Sequence, residues 1–156
     1  MNLDLWNFVI AVLALVAAIY AIIYTHIQNK IIVDVIDGYF DQQNDSPFLI
    51  HFFIQNLSSK PLKIIDVKIL DNNNQQIKTL EKYIPKINSF LEADSTYWEQ
   101  KPFTKPENLY PGSDSSFSYY LYSLETHLNI SVTVQSFSFY KKKKTFKLPI
   151  VLKKND

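Results

Sequence analysis

The chain contains no cysteine and no arginine, and only two of its 156 residues are glycine. Without cysteine it has no disulfide framework, no thiol nucleophile and no thiolate metal ligand. With glycine only at Gly38 and Gly112, it has no glycine-rich phosphate loop and no Gly-x-Ser-x-Gly motif. All 16 basic residues are lysine, and no basic face runs through the sequence, so we expect no nucleic-acid partner.

Metal-binding and catalytic patterns are also missing from the sequence. The three histidines are His26, His51 and His127, and no two of them have the spacing of metal ligands. We therefore predict no catalytic residue, no metal or cofactor site, and a protein that is not an enzyme.

One long hydrophobic run is present near the N-terminus. Residues 8–24 are apolar without interruption, and Trp6, Tyr20 and Tyr24 lie near its two ends, as interfacial aromatic residues do. As a helix, 20 residues of this region cover about 30 Å, which is the thickness of a bilayer's hydrocarbon core. The sequence predicts a transmembrane helix at 3–27 and the lipid bilayer as a partner.

A cleaved signal peptide is the alternative interpretation of this run. It requires a positively charged start, but residues 1–4 contain no lysine or arginine, and the apolar run continues past the small residues at 16–18. We favour a retained single-pass anchor in the cell membrane. Because Lys30 follows the run and Asp4 precedes it, the positive-inside rule favours a cytoplasmic C-terminal domain.

Small or weakly polar residues recur along the run at spacings of four and three. Such a stripe lets two helices approach closely in lipid, and asparagine or threonine can hydrogen-bond across the pair. The sequence predicts a homo-oligomer formed through the helix, although alanine is also simply common in membrane helices. The stripe consists of Asn7, Ala11, Ala14, Ala18, Ala21 and Thr25.

Residues 28–154 are predicted to form one all-β domain. Short runs of alternating or continuous apolar residues are separated by turn signals, and helical periodicity is almost absent. We count seven or eight strands and predict an antiparallel β-sandwich. The clearest strands are expected at 30–37, 48–55, 62–70, 75–80, 116–123, 129–140 and 145–152.

The segment 83–111 is harder to interpret because four prolines rule out one long helix across it. A short helix at 88–93 and a strand at 96–100 are both compatible with its sequence. Pro149, near the C-terminus, favours an edge position for the last strand.

Two stretches carry a resemblance to known modules. Residues 48–64 (FLIHFFIQNLSSKPLKI) resemble the strand, asparagine, polar turn, proline and strand that open many immunoglobulin-like sandwiches. Residues 109–113 (LYPGS) are similar to their later Pro-Gly-Ser turn. With its N-terminal anchor, the chain resembles small uncharacterised membrane proteins of Gram-positive bacteria and their prophages. The resemblance implies a fold and a habitat, and it implies no functional residue.

Two surface features could mediate binding. The run Lys141, Lys142, Lys143 and Lys144 is expected at a hairpin tip, where it would contact an anionic surface or simply solubilise the tip and protect strand edges. Tyr120 and Tyr122 are a candidate partner patch, because tyrosine is favoured at protein interfaces.

We therefore predict a non-catalytic, membrane-anchored binding module that contacts a protein partner at the membrane surface. The alternative is a membrane-acting effector of phage–host conflict, which senses a ligand through the sandwich and oligomerises through the helix.

Overall fold

The computed structural model describes residues 3–28, 30–42, 47–80, 83, 100–125, 127–137 and 142–154. The chain separates into two compact units, Met1–Lys30 and Ile31–Asp156. The first unit holds one α-helix, α1, at Leu3–Gln28. Every side chain of residues 3–26 in this helix is exposed. This is expected, because a helix that is apolar on every side has no single face that packs on the core of a soluble domain.

The second unit, here called the β domain, is built from strands. Their alternating or continuous apolar residues and the turn residues between them favour extended structure. The strands are β1 Val33–Asp41, β2 Phe48–Asn56, β3 Leu62–Leu70, β4 Thr79–Leu80, β5 Glu107–Leu109, β6 Asp114–Leu121, β7 His127–Ser136, β8 Lys143–Val151 and β9 Lys153–Lys154.

These strands form two sheets, a five-stranded sheet in the order β4-β6-β2-β1-β9 and a four-stranded sheet in the order β5-β3-β7-β8. Every pairing is antiparallel except that of β1 with β9, which is parallel. The coarse expectation of an N-terminal apolar helix followed by a β-rich domain is therefore confirmed.

One buried cluster takes side chains from both sheets. In β7 the apolar residues alternate, so Leu128, Ile130, Val132 and Val134 all point inward and are at most 1% exposed. From the five-stranded sheet, Phe52 of β2 stacks on Tyr119 of β6 with ring centroids 6.0 Å apart. The strand periodicity read from the sequence thus places the core on the expected faces.

β8 approaches β1 closely at Gly38, within an irregular part of β1. The β1–β2 register shifts between Ile36 and Tyr39, and Asp37 has a positive φ of 52°. A side chain at Gly38 would meet Ile150, with its Cβ only 2.5 Å from Ile150 Cγ1. Glycine is required here for close packing of β1 against β8.

Several predicted strands are confirmed with small shifts in their ends. The strand expected at 62–70 matches β3, and the one expected at 48–55 extends one residue further. The strand expected at 129–140 is β7, which starts at His127 and ends at Ser136, and Phe137 beyond it is exposed. β8 is an edge strand, as Pro149 predicted.

The predicted return arm at 75–80 forms only over its first residues. Gln76 pairs back on Leu70 through an isolated bridge, and the Ile77 amide donates a hydrogen bond to the Ile69 carbonyl at 2.9 Å. The chain then crosses to the other sheet, where Thr79 and Leu80 pair with β6. The short strand β5, which follows Pro106, was not predicted at all. The possible helix at 88–93 and nearly all of the possible strand at 96–100 lie outside the described residues; Gln100, its last residue, is not in a strand.

Candidate functional site

The stripe of small residues lies along one side of α1. Because an α-helix turns about 100° per residue, the positions of Asn7, Ala11, Ala14, Ala18, Ala21 and Thr25 fall within an arc of about 80°. The Thr25 hydroxyl donates a hydrogen bond to the Ala21 carbonyl oxygen at 2.7 Å. Its proton is therefore engaged within its own helix, and donation to a neighbouring helix would require breaking this bond.

The helix is long and apolar enough to cross a membrane over Leu3–His26. Its 24 residues cover about 36 Å. The same length and composition, at this position near the N-terminus, also fit a signal sequence.

The structure separates the two tyrosines of the expected partner patch. Tyr120 is 0% exposed, although its side chain lies on the outer face of the five-stranded sheet. That face is covered at this point by Leu80 and Tyr83, and the rings of Tyr83 and Tyr120 lie 5.0 Å apart. Tyr120 is thus not available to a partner, and the prediction for it is wrong. Tyr122, which follows β6, is 66% exposed.

Three of the four lysines of the charged run are described, and Lys141 lies outside the described residues. Lys142, Lys143 and Lys144 are exposed, and the Lys142 carbonyl accepts a hydrogen bond from the Ser136 amide at 3.0 Å. Lys143 pairs with Gln135, which pairs with Lys63. Lys63 and Lys143 therefore share one outward-facing row across three strands, about 10 Å apart. No pattern in the sequence indicates that Lys63 joins the run.

One end of the β domain gathers five segments of the chain. We call it the linker end, because the chain enters the β domain here; it comprises residues 31–32, 57–61, 110–113, 137 and 142–144. The strand registers bring these segments together, since Val33 pairs with Asn56, Gln55 with Asp114, and Leu62 with both Leu109 and Ser136.

Asn56 holds the linker end together through its buried side chain. Its Nδ2 donates to the carbonyl oxygens of Lys60 and Leu109, both at 2.9 Å, and its Oδ1 accepts from the Ser58 amide at 2.9 Å. The hydroxyl of Ser58 in turn accepts from the Ile32 amide at 2.8 Å and donates to the Ile32 carbonyl at 3.1 Å. The turn at 110–113 is closed by the Ser113 amide, which donates to the Tyr110 carbonyl, with Gly112 at a φ of +72°.

The consequence is an apolar surface at the linker end. Leu57 lies between Asn56 and Ser58, which are both buried, and its own side chain is exposed. Of the six exposed large apolar side chains in the described part of residues 31–154, four lie here. They are Ile32 at 37%, Leu57 at 49%, Tyr110 at 63% and Phe137 at 55%.

The charge of the linker end is positive. Within the described part of residues 31–154, the exposed ionisable side chains on it or beside it are four lysines and two carboxylates. These are Lys60, Lys142, Lys143 and Lys144, with Asp34 and Asp114.

The opposite end of the β domain comprises residues 71–76, 122–125 and 151, and we call it the far end. It carries the other two exposed large apolar side chains of the described β domain, Tyr122 and Val151. The nine residues of β3 run from one end to the other, so the two ends are about 30 Å apart.

His51 lies on β2 and is only partly exposed. Its ring stacks on Tyr39 with centroids 4.7 Å apart. Burial lowers the pKa of His51, and the nearby Asp41 carboxylate opposes part of that shift. Within the described residues, no three His, Cys, Asp or Glu side chains are grouped so that they could hold a metal ion.

No family model matches the sequence, and no curated protein matches it either. The solved structures similar to the chain include two structural-genomics proteins. One, described as the ApaA protein from Bordetella pertussis, has a TM-score of 0.39 and 12% identity, and the match covers 79% of this chain and 94% of that one. The other, a structural-genomics target, has a TM-score of 0.38 and 16% identity, and the match covers 81% of this chain and 88% of that one. At these values neither contributes to the assignment of fold or function.

Proposed function

We propose that this protein is a non-catalytic, single-pass membrane protein whose β domain binds a protein partner at the membrane surface. The observation that carries the proposal is α1, an exposed apolar helix of spanning length that precedes a separately folded domain. The proposed location is a bacterial cell membrane of the Gram-positive type, with the β domain in the cytoplasm.

We further infer that the β domain is an immunoglobulin-like sandwich, and the strand order supports this. In that fold, strands A, B, E and D form one sheet, and C, F and G form the other. Here β1, β2, β6 and β4 are neighbours in one sheet, while β3, β7 and β8 are neighbours in the other. The short strands β5 and β9 are additions to this pattern. Sandwiches of this type serve widely as binding modules, which is an argument from analogy.

The far end is the proposed surface for the protein partner. Tyr122 is 66% exposed there, and tyrosine contributes a large, stiff contact area with a polar tip.

Photo-crosslinking of the full chain in its native cells tests this proposal. A photoreactive phenylalanine analogue at position 122 is expected to give a discrete protein adduct. The matched control is position 110, a tyrosine with almost the same exposure, 63% against 66%, at the opposite end. Equal adducts at both positions, or none at 122, would contradict the proposed partner surface.

A thiol-labelling experiment tests the proposed orientation. The chain has no cysteine, so Asn72→Cys places a single thiol on an exposed far-end turn. A membrane-impermeant maleimide should label this thiol only after the cells are lysed. Labelling in intact cells would reverse the assignment of the β domain to the cytoplasm.

The second candidate function is the membrane-acting effector, and the arc of small residues on α1 favours it. Changing Ala14 and Ala18 to leucine should then abolish any growth arrest caused by overexpression, because the larger side chains separate the helices. The matched control changes Val12 and Val16, on the opposite side of α1, to leucine. Equal toxicity of both double variants would eliminate the effector function.

A further inference from the structure

The linker end presents large apolar side chains beside lysines. Exposure of these apolar side chains to water is unfavourable. Leu57, Tyr110 and Phe137 are each about half exposed or more, and Lys60, Lys142 and Lys143 lie on the same end. Such amphipathic surfaces bind the boundary between lipid headgroups and acyl chains. The surface is fixed, because the Asn56 and Ser58 hydrogen bonds hold the backbone that turns Leu57 outward.

We propose that the linker end is a lipid-binding surface that docks the β domain on an anionic bilayer. Leu57, Tyr110 and Phe137 enter the interfacial region, while the lysines contact the phosphates of anionic headgroups. This inference rests on the proposed membrane anchoring by α1 and adds a defined contact with the lipid to it.

The covalent chain limits the possible occupants of this surface. Ile32 is four residues beyond Gln28, the last residue of α1, and four residues span at most about 14 Å. The Ile32 carbonyl accepts a hydrogen bond from the Leu57 amide at 3.1 Å, so Leu57 is tied to the same point. When α1 spans a bilayer, this end of the β domain is held within reach of the headgroups.

Charge and residue type favour lipid over protein as the occupant. Lysines outnumber carboxylates at the linker end, which complements the negative surface potential of a cytoplasmic leaflet. Tyrosine and phenylalanine are residues that lie at the membrane–water boundary. The far end, with Tyr122, has no comparable chain tether and remains the surface proposed for a protein partner.

Spin-label accessibility in the full chain tests the proposal. Single cysteines replace Leu57, Phe137 or Tyr122, and each labelled protein is reconstituted in vesicles of phosphatidylcholine mixed with an equal amount of phosphatidylglycerol. Collisions with lipid-soluble oxygen and with a water-soluble nickel complex are compared. We expect the oxygen-to-nickel ratio to be several-fold higher at positions 57 and 137 than at position 122.

The lysine contribution is tested with a matched pair of variants. Lys142→Gln with Lys143→Gln should lower the ratio at position 57, whereas Lys153→Gln with Lys154→Gln, two exposed lysines of β9, should leave it unchanged. Vesicles of phosphatidylcholine alone should lower the ratio at position 57 as the linker-end variant does.

Two results would overturn the inference. Equal ratios at positions 57 and 122 would mean that the linker end stays in water, and shielding of position 57 from both oxygen and nickel would mean that protein covers it. A further label at Leu15 on α1 reports insertion of the helix. Loss of lipid contact at Leu15 would refute the anchoring itself, whereas contact there with none at position 57 would refute only the docking surface.

Discussion

The Asn56 side chain joins the turn at 57–61 to the end of β5 through three hydrogen bonds. Asn56→Ala would leave the buried Leu109 carbonyl and the Ser58 amide without that partner, so it should lower the free energy of unfolding by about 3 kcal/mol. Denaturant unfolding of the full chain in detergent measures this loss. Asn72→Ala, on an exposed turn, is the control and should cost less than about 0.5 kcal/mol. Equal losses in both variants would contradict the role given to Asn56.

Gly38 is needed for space rather than for an unusual backbone angle. In Gly38→Ala the new methyl group collides with Ile150, and we expect a loss of about 2 kcal/mol in unfolding free energy. Combining it with Ile150→Ala should cost clearly less than the sum of the two single changes, because the second change removes the colliding atoms. Additive losses would show that the close approach of β1 and β8 does not limit this position.

His51 should make the stability of the β domain depend on pH. Burial lowers its pKa in the folded state, so below about pH 6.5 the unfolded chain binds the proton more readily than the folded chain. The free energy of unfolding therefore falls as the pH decreases from about 7.5 to about 5.5. His51→Gln should reduce this fall, measured as the difference in melting temperature between the two pH values. An unchanged difference would assign the pH dependence to other groups.

At the scale of elements, Leu152 marks the point where the chain leaves the four-stranded sheet and joins the other. It is 4% exposed, while its neighbour Val151 is 54% exposed. Leu152→Ala should lower the free energy of unfolding by about 3 kcal/mol, because it opens a cavity beside β1. Val151→Ala, one residue away, should cost less than about 0.5 kcal/mol. Similar losses would mean that the crossing to β9 contributes little to stability.

The elements that could be predicted from the sequence are those with a long alternating pattern and turn residues at both ends. β2 and β3 are bounded by the Asn56–Pro61 turn, and β7 alternates over most of its length. β4 and β5 have only two and three residues, which is too short for a period to be visible. The crossing of the chain after Gln76 depends on packing, which a hairpin signal in the sequence does not contain.

The candidate site was predicted only in part, for a related reason. The run of lysines at 141–144 can be recognised in the sequence. Lys63 lies in the same row as Lys143 only because β3 pairs with β7 and β7 pairs with β8. Tyr120 is buried because Leu80 and Tyr83, about 40 residues earlier in the sequence, cover it. The linker end combines loops that are brought together by the register of β1, β2, β3 and β7. Such juxtapositions follow from topology, and local patterns do not reveal them.

The whole molecule consists of an apolar helix and a β domain with two distinct ends. The linker end is apolar and positively charged, and it is proposed to face lipid. The far end carries Tyr122 and is proposed to face a protein partner. Both assignments require that α1 is retained and inserted in the membrane.

Alkaline carbonate extraction of membranes from cells that express the full chain tests this requirement most directly, when combined with the intact mass of the extracted protein. We expect the protein to stay in the membrane pellet with its N-terminal helix intact. Release of the protein into the supernatant, or a mass that lacks the residues up to Ala18, would identify the helix as a signal sequence or a soluble segment and contradict the account.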